Sequence, residues 1–113
     1  MCGSELRYNV RKYWEIPIWK SAMLAYPTTA LRDYGFINEQ HYMETMPEEA
    51  GEKAIFLKNN RGFSERLISS AFDLVTNEHS VKNRVDQVIE CLNLYLKGRL
   101  EGACYVNGKF EYF

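Results

Sequence analysis

The clearest periodic signal in the chain lies between Ser80 and Gly98. At about 100° per residue, Val81, Val85, Val88, Ile89, Leu92 and Leu96 share one arc, while Lys82, Asp86, Glu90, Asn93 and Lys97 face away. Ser80 is a suitable N-cap and Gly98 a suitable terminator, so the pattern predicts a helix over about 80–97. A second helix is expected over about 64–76, capped by Ser64, with Leu67, Ile68, Ala71, Phe72, Leu74 and Val75 on one broad side. Beyond Gly98 the strongest turn signal appears. Val106-Asn107-Gly108-Lys109 reads as a two-residue type I′ hairpin turn, because both central positions need positive φ. That register pairs Ala103 with Tyr112 and Tyr105 with Phe110 on one face, and Cys104 with Glu111 and Val106 with Lys109 on the other.

The first half is read from weaker patterns. Leu6, Tyr8 and Val10 alternate with Arg7, Asn9 and Arg11, which suggests a half-buried strand leaving through residues 14–17, where Pro17 would interrupt a ladder. Short helices are expected from Ile18 to Ala25, after a Thr28 or Thr29 cap as far as Gly35, and from Asn38 to Pro47. The unbroken apolar run Ala54-Ile55-Phe56-Leu57 between two lysines suits a strand covered on both faces. Together these elements predict a small two-layer α+β domain. Its sheet would be three- or four-stranded and mainly antiparallel, with the two main helices (64–76 and 80–97) on one face and a C-terminal β-hairpin over about 103–112. The rings of Tyr105, Phe110 and Tyr112 would then roof the oily stripe of residues 81–96.

No repeat or linker divides the 113 residues, so 1–113 is expected to be one domain. An apolar fraction of 46% with 26% charge excludes a disordered chain. Aromatics reach 14%, from which some rings are expected in the core and some on a contact surface. The net charge of −1 argues against a dedicated polyanion binder. Its distribution is uneven: residues 33–52 carry six acidic groups and no Lys or Arg, between two mildly basic ends. Three scattered cysteines do not make a disulfide scaffold, and no apolar run is long enough for a membrane span or a signal peptide, so the expected compartment is the cytoplasm with no membrane attachment.

Candidate chemistry is sparse. Met1-Cys2-Gly3 resembles the start of two families that free a nucleophilic N-terminal cysteine, the Ntn-class glutamine amidotransferases and the SOS-response-associated peptidases. The resemblance implies a catalytic thiol at Cys2. It covers three residues, and Ser4-Glu5 follows where the first family continues into an apolar strand and the second has a basic residue. Glu44 to Gly51 resembles the tail of a Nudix box, which would imply metal held on helical glutamates. Pro47 breaks the helix that such a box requires, and the upstream glycine and glutamate are missing. Glu44, Glu48, Glu49 and Glu52 read better as an acidic band able to face a basic partner.

Lys58, Asn60 and Arg61, placed between a strand and a helix N-terminus, are the candidates for contact with an anion or a nucleic acid. Tyr13 and Trp14 are the rings expected at the surface, within a basic-aromatic N-terminal stretch. His41 and His79 stand apart from each other and from the cysteines, so no metal and no cofactor is expected. His79 reads as a loop residue between the two main helices.

The leading expectation is a non-enzymatic binding or regulatory protein of the inhibitor, immunity-protein, antitoxin or accessory-factor type, acting through a protein–protein interface. A small nucleic-acid-binding module is the alternative, and an N-terminal-cysteine hydrolase or transferase the remote one. Oligomeric state is left open by the sequence.

Overall fold

The computed structural model describes residues 10–113. Helix α1 (Lys12–Ile18) leads to a short strand β1 (Leu24–Ala25), and helix α2 (Thr29–Asp33) is followed by strand β2 (Met43–Glu44). A 3-10 turn at Pro47–Glu49 opens helix α3 (Ala50–Asn59), after which come α4 (Arg61–Glu78), α5 (Val81–Leu96) and the strands β3 (Ala103–Val106) and β4 (Lys109–Tyr112). The described chain is mostly helical, at 57%. It holds two separate two-stranded sheets, a parallel β1–β2 pair and the antiparallel β3–β4 hairpin. The three- or four-stranded sheet expected from the sequence does not form among these residues.

Three differences separate the structure from that expectation. Ala54–Leu57 lies inside α3, with only Leu57 buried while Ile55 and Phe56 stay exposed. A four-residue apolar run is too short to tell a strand from a helix, and here Asn60 marks the end of the helix. The Asn60 side-chain amide donates to the Phe56 carbonyl at 2.8 Å, which closes α3 and lets α4 start at once.

The second misreading is α1. Tyr13, Ile16 and Pro17 turn inward at helical spacing, and Ile18, which strict alternation would bury, is exposed. The even-numbered pattern satisfied both periods over so few residues. The expected strand over Leu6–Val10 falls almost wholly outside the described residues. The third misreading spans 18–25 and 38–47, expected as helices. Residues 24–25 and 43–44 instead pair as β1 and β2, and the Asn38 side chain accepts from the Glu44 N–H at 2.8 Å, bridging a turn in place of capping a helix.

Other expectations hold. Thr28 caps α2 by accepting from the Leu31 N–H, and Gly35 ends it at φ +86°. Ser80 caps α5 through the Asn83 N–H. The hairpin register is the expected one at all four pairs, with Asn107 and Gly108 at positive φ.

Among the described residues, two buried clusters hold the fold together. Tyr13, Met23, Ala25, Leu31, Phe36, Tyr42 and Val75 join α1, β1, α2 and the end of α4. Met43, Leu57 and Leu67 join β2, α3 and the start of α4, with Phe63 stacked edge-on to Phe56. The hairpin docks through its tip. Gly108 donates its N–H to the Asp33 carbonyl at 2.7 Å, and a Cβ on Gly35 would meet the Gly108 Cα at 2.9 Å. The two glycines lie back to back because nothing larger fits.

Candidate functional site

Helix α5 buries no residue. Its half-buried positions are Asn83, Arg84, Gln87, Cys91 and Leu94, which lie on the side opposite to the valine–leucine stripe. The stripe itself points outward: Val88 is 57% exposed, Leu92 56% and Leu96 81%. Amphipathic helices normally turn such a stripe to the core, so this helix is mounted inside out relative to its own pattern.

The mounting is built from polar and aromatic groups. The Arg84 guanidinium donates to the Tyr105 hydroxyl, to Gln87 Oε1 at 2.9 Å and to His79 Nδ1 at 2.9 Å. It lies over the Tyr105 ring at 4.6 Å, with the Trp14 and Tyr34 rings at the outer limit of cation–π contact, 5.9 and 6.0 Å away. Gln87 Nε2 donates to the same Tyr105 hydroxyl at 2.6 Å. His79 completes the set. Its Nε2–H donates to the Tyr34 carbonyl at 2.7 Å, which leaves Nδ1 as the acceptor that Arg84 needs. Burial pushes the His79 pKa below its ordinary 6.5, the Tyr34 bond opposes that, and the Arg84 charge adds to it.

This anchor corrects the expected roof. Tyr105 packs tilted against Tyr34 at 5.1 Å and edge-on to Phe110 at 5.0 Å, so the ring face of the hairpin covers the end of α2 and the Arg84–Gln87 flank of α5. It reaches only the margin of the stripe, at Val88 and Leu92, across a groove of about 360 Å³. A second groove of about 480 Å³, also bordered by Arg84, lies nearer the start of α5 between Trp14, His79 and the residues Val81, Val85, Val88 and Ile89. Trp14 and the hairpin rings thus both border the stripe, with Arg84 between the two grooves.

The residues singled out in the sequence are scattered relative to this surface. Trp14 borders it. Tyr13 is fully buried in the first cluster and is a core residue, not an exposed ring. Glu48, Glu49 and Glu52 are exposed at the opening of α3, where acidic groups complement the helix dipole. Glu49 also pairs with Lys53 at 3.1 Å and accepts from the Met46 N–H, interactions that hold its carboxyl below the usual range. Glu44 presents its carbonyl to Lys53.

The expected strand-to-helix anion turn is a helix-to-helix junction. Lys58 sits in the last turn of α3, the Asn60 carbonyl accepts from the Ser64 N–H, and Arg61 is paired with Glu65 at 2.8 Å. Cys2 lies outside the described residues. Cys91 and Cys104 are free thiols. Among the described residues no cluster of His, Cys, Asp and Glu could hold a metal, and no helix is long and apolar enough to cross a membrane.

Sequence reasoning missed Arg84, Gln87 and Tyr105 as the anchor. The only available signal was that Arg84, Gln87 and Cys91 recur at helical spacing on one side, which ordinarily marks a solvated face. Compared with known proteins, the chain matches no protein-family model, no curated protein and no solved structure.

Proposed function

We propose that this is a non-enzymatic binding or regulatory protein that acts through a protein–protein interface centred on the outward face of α5. The observation that carries the reading is the orientation of that helix: six aliphatic side chains, spaced as for burial, stand in solvent while a specific Arg84–Tyr105–His79 network holds them there. Isolated exposed apolar residues need no explanation, but a contiguous patch larger than a few hundred Å² marks a contact site. The surface has the composition of an interface core, aliphatic and aromatic with no charged residue in the arc. The basic groups that a nucleic-acid module would use are partly committed elsewhere, since Arg11 pairs with Glu15, Arg61 with Glu65 and Lys82 with Asp86 on their own helices.

The test is affinity purification from the native host with two baits, the wild-type chain and a Val88→Asp/Leu92→Asp variant. The expected result is a stoichiometric protein, this chain itself included, that the wild type retains and the variant loses. Equal retention by both baits, or nucleic acid as the only companion, contradicts the reading.

A further inference from the structure

The occupant of the α5 face can be argued from the face itself. Val81, Val85, Val88, Leu92 and Tyr95 follow one another at steps of four, three, four and three, the spacing of a helix–helix seam. Knobs of that spacing fit holes formed by a helix of the same spacing, and the helix guaranteed to carry it is another α5. Ile89 and Leu96 widen the seam on one flank only; the opposite flank holds Arg84 and Cys91, of which Arg84 is engaged by Tyr105 and His79.

That asymmetry selects an orientation. In a parallel pair each apolar flank would meet the partner's Arg84 flank. In an antiparallel pair like flanks meet, so Ile89 faces its own copy near the two-fold axis and Leu96 meets the aliphatic stem of Lys82.

Size and charge agree with self-association. From their fractional exposures, the stripe residues and Tyr95 leave on the order of 700 Å² open to water, comparable with the roughly 800 Å² per partner that a stable interface buries. Lys82 and Asp86 neutralise each other at 2.6 Å at the margin, so two copies approach without like-charge repulsion in the seam. The helix is already capped at Ser80, stopped at Gly98 and anchored by Arg84, which removes the ordering cost that makes short helical pairs weak. We infer that the α5 face is the isologous interface of a homodimer, with two α5 helices packed antiparallel about Ile89. This rests on the reading of α5 as an interaction surface and names its partner.

Sedimentation of the purified chain under reducing conditions tests it. The expected result is twice the 13.3 kDa chain mass at micromolar concentration. The Val88→Asp/Leu92→Asp variant should raise the dimer dissociation constant by more than about 100-fold with an unchanged far-ultraviolet spectrum. Orientation is read separately. Ile89→Cys, in a background with Cys2, Cys91 and Cys104 replaced by serine, should form a disulfide-linked dimer on mild oxidation, whereas Asp86→Cys in the same background should not. A wild-type chain that stays monomeric at high micromolar concentration overturns the inference. If that monomer still loses a host protein in the aspartate variant, only the homodimer fails. If no α5-dependent partner exists either, the binding reading fails with it.

Discussion

Arg84 holds α5 in place through a fork of donors that a simple charge cannot reproduce, since it serves a phenol, an amide and an imidazole at once. Replacing it by alanine leaves Gln87 Oε1 and His79 Nδ1 without their donor, while the Tyr105 hydroxyl keeps Gln87 Nε2. The expected cost is about 2–3 kcal/mol in urea denaturation. Arg84→Lys should recover less than half of that, because an ammonium makes only part of the fork. His79 ties the same anchor to pH. Its folded pKa is below the ordinary 6.5, so the unfolded chain takes up a proton first as pH falls, and His41, lowered by burial, acts in the same sense. The stability both contribute is complete above about pH 6.5 and is lost as pH falls through their folded pKa values. Unfolding free energy measured from neutral to mildly acidic pH should therefore decline, and His79→Gln should flatten the decline. An unchanged slope in the variant would assign the acid sensitivity elsewhere.

Between elements, the hairpin and α2 meet where two left-handed glycines touch. A Cβ at Gly35 would lie 2.9 Å from the Gly108 Cα, and the residue also sits at φ +86°. Gly35→Ala should cost about 2–4 kcal/mol from strain and displaced contact, read as a lowered denaturant midpoint. Ser80→Ala, which removes the α5 cap, should cost about 1 kcal/mol.

These same elements show what a single sequence discloses. The α5 boundaries, the Thr28 cap, the Gly35 stop and the hairpin register were legible, because each rests on chemistry local to two to four residues. The assignment of 54–57 was not, because Leu57 is buried through Met43 and Leu67, partners remote in the chain. The Asn38 turn and the β1–β2 pairing depend likewise on contacts between distant segments. Most consequential, the direction of the α5 stripe was illegible. Periodicity reports that one side of a helix avoids water, and it cannot report whether the shelter comes from the same chain or from another.

The whole molecule bears the mark of that choice. The described residues span 54 × 27 × 18 Å with a radius of gyration of 16.0 Å, against about 13 Å for a compact domain of this length. An elongated body with the α5 stripe on the outside is the shape expected of one half of the proposed homodimer. Two α5 helices packed against each other would shelter both stripes, with Trp14 and the hairpin rings of each copy closing the margins.

The most direct test is denaturant unfolding of the wild type and of Leu92→Asp over a wide range of protein concentration. If the stripe faces outward to meet a second copy, the wild-type midpoint rises with concentration, the variant's does not, and the two converge within about 0.5 kcal/mol at the lowest concentration. A wild-type midpoint independent of concentration, with the variant about 3 kcal/mol or more less stable throughout, would place Leu92 inside its own fold and contradict the account.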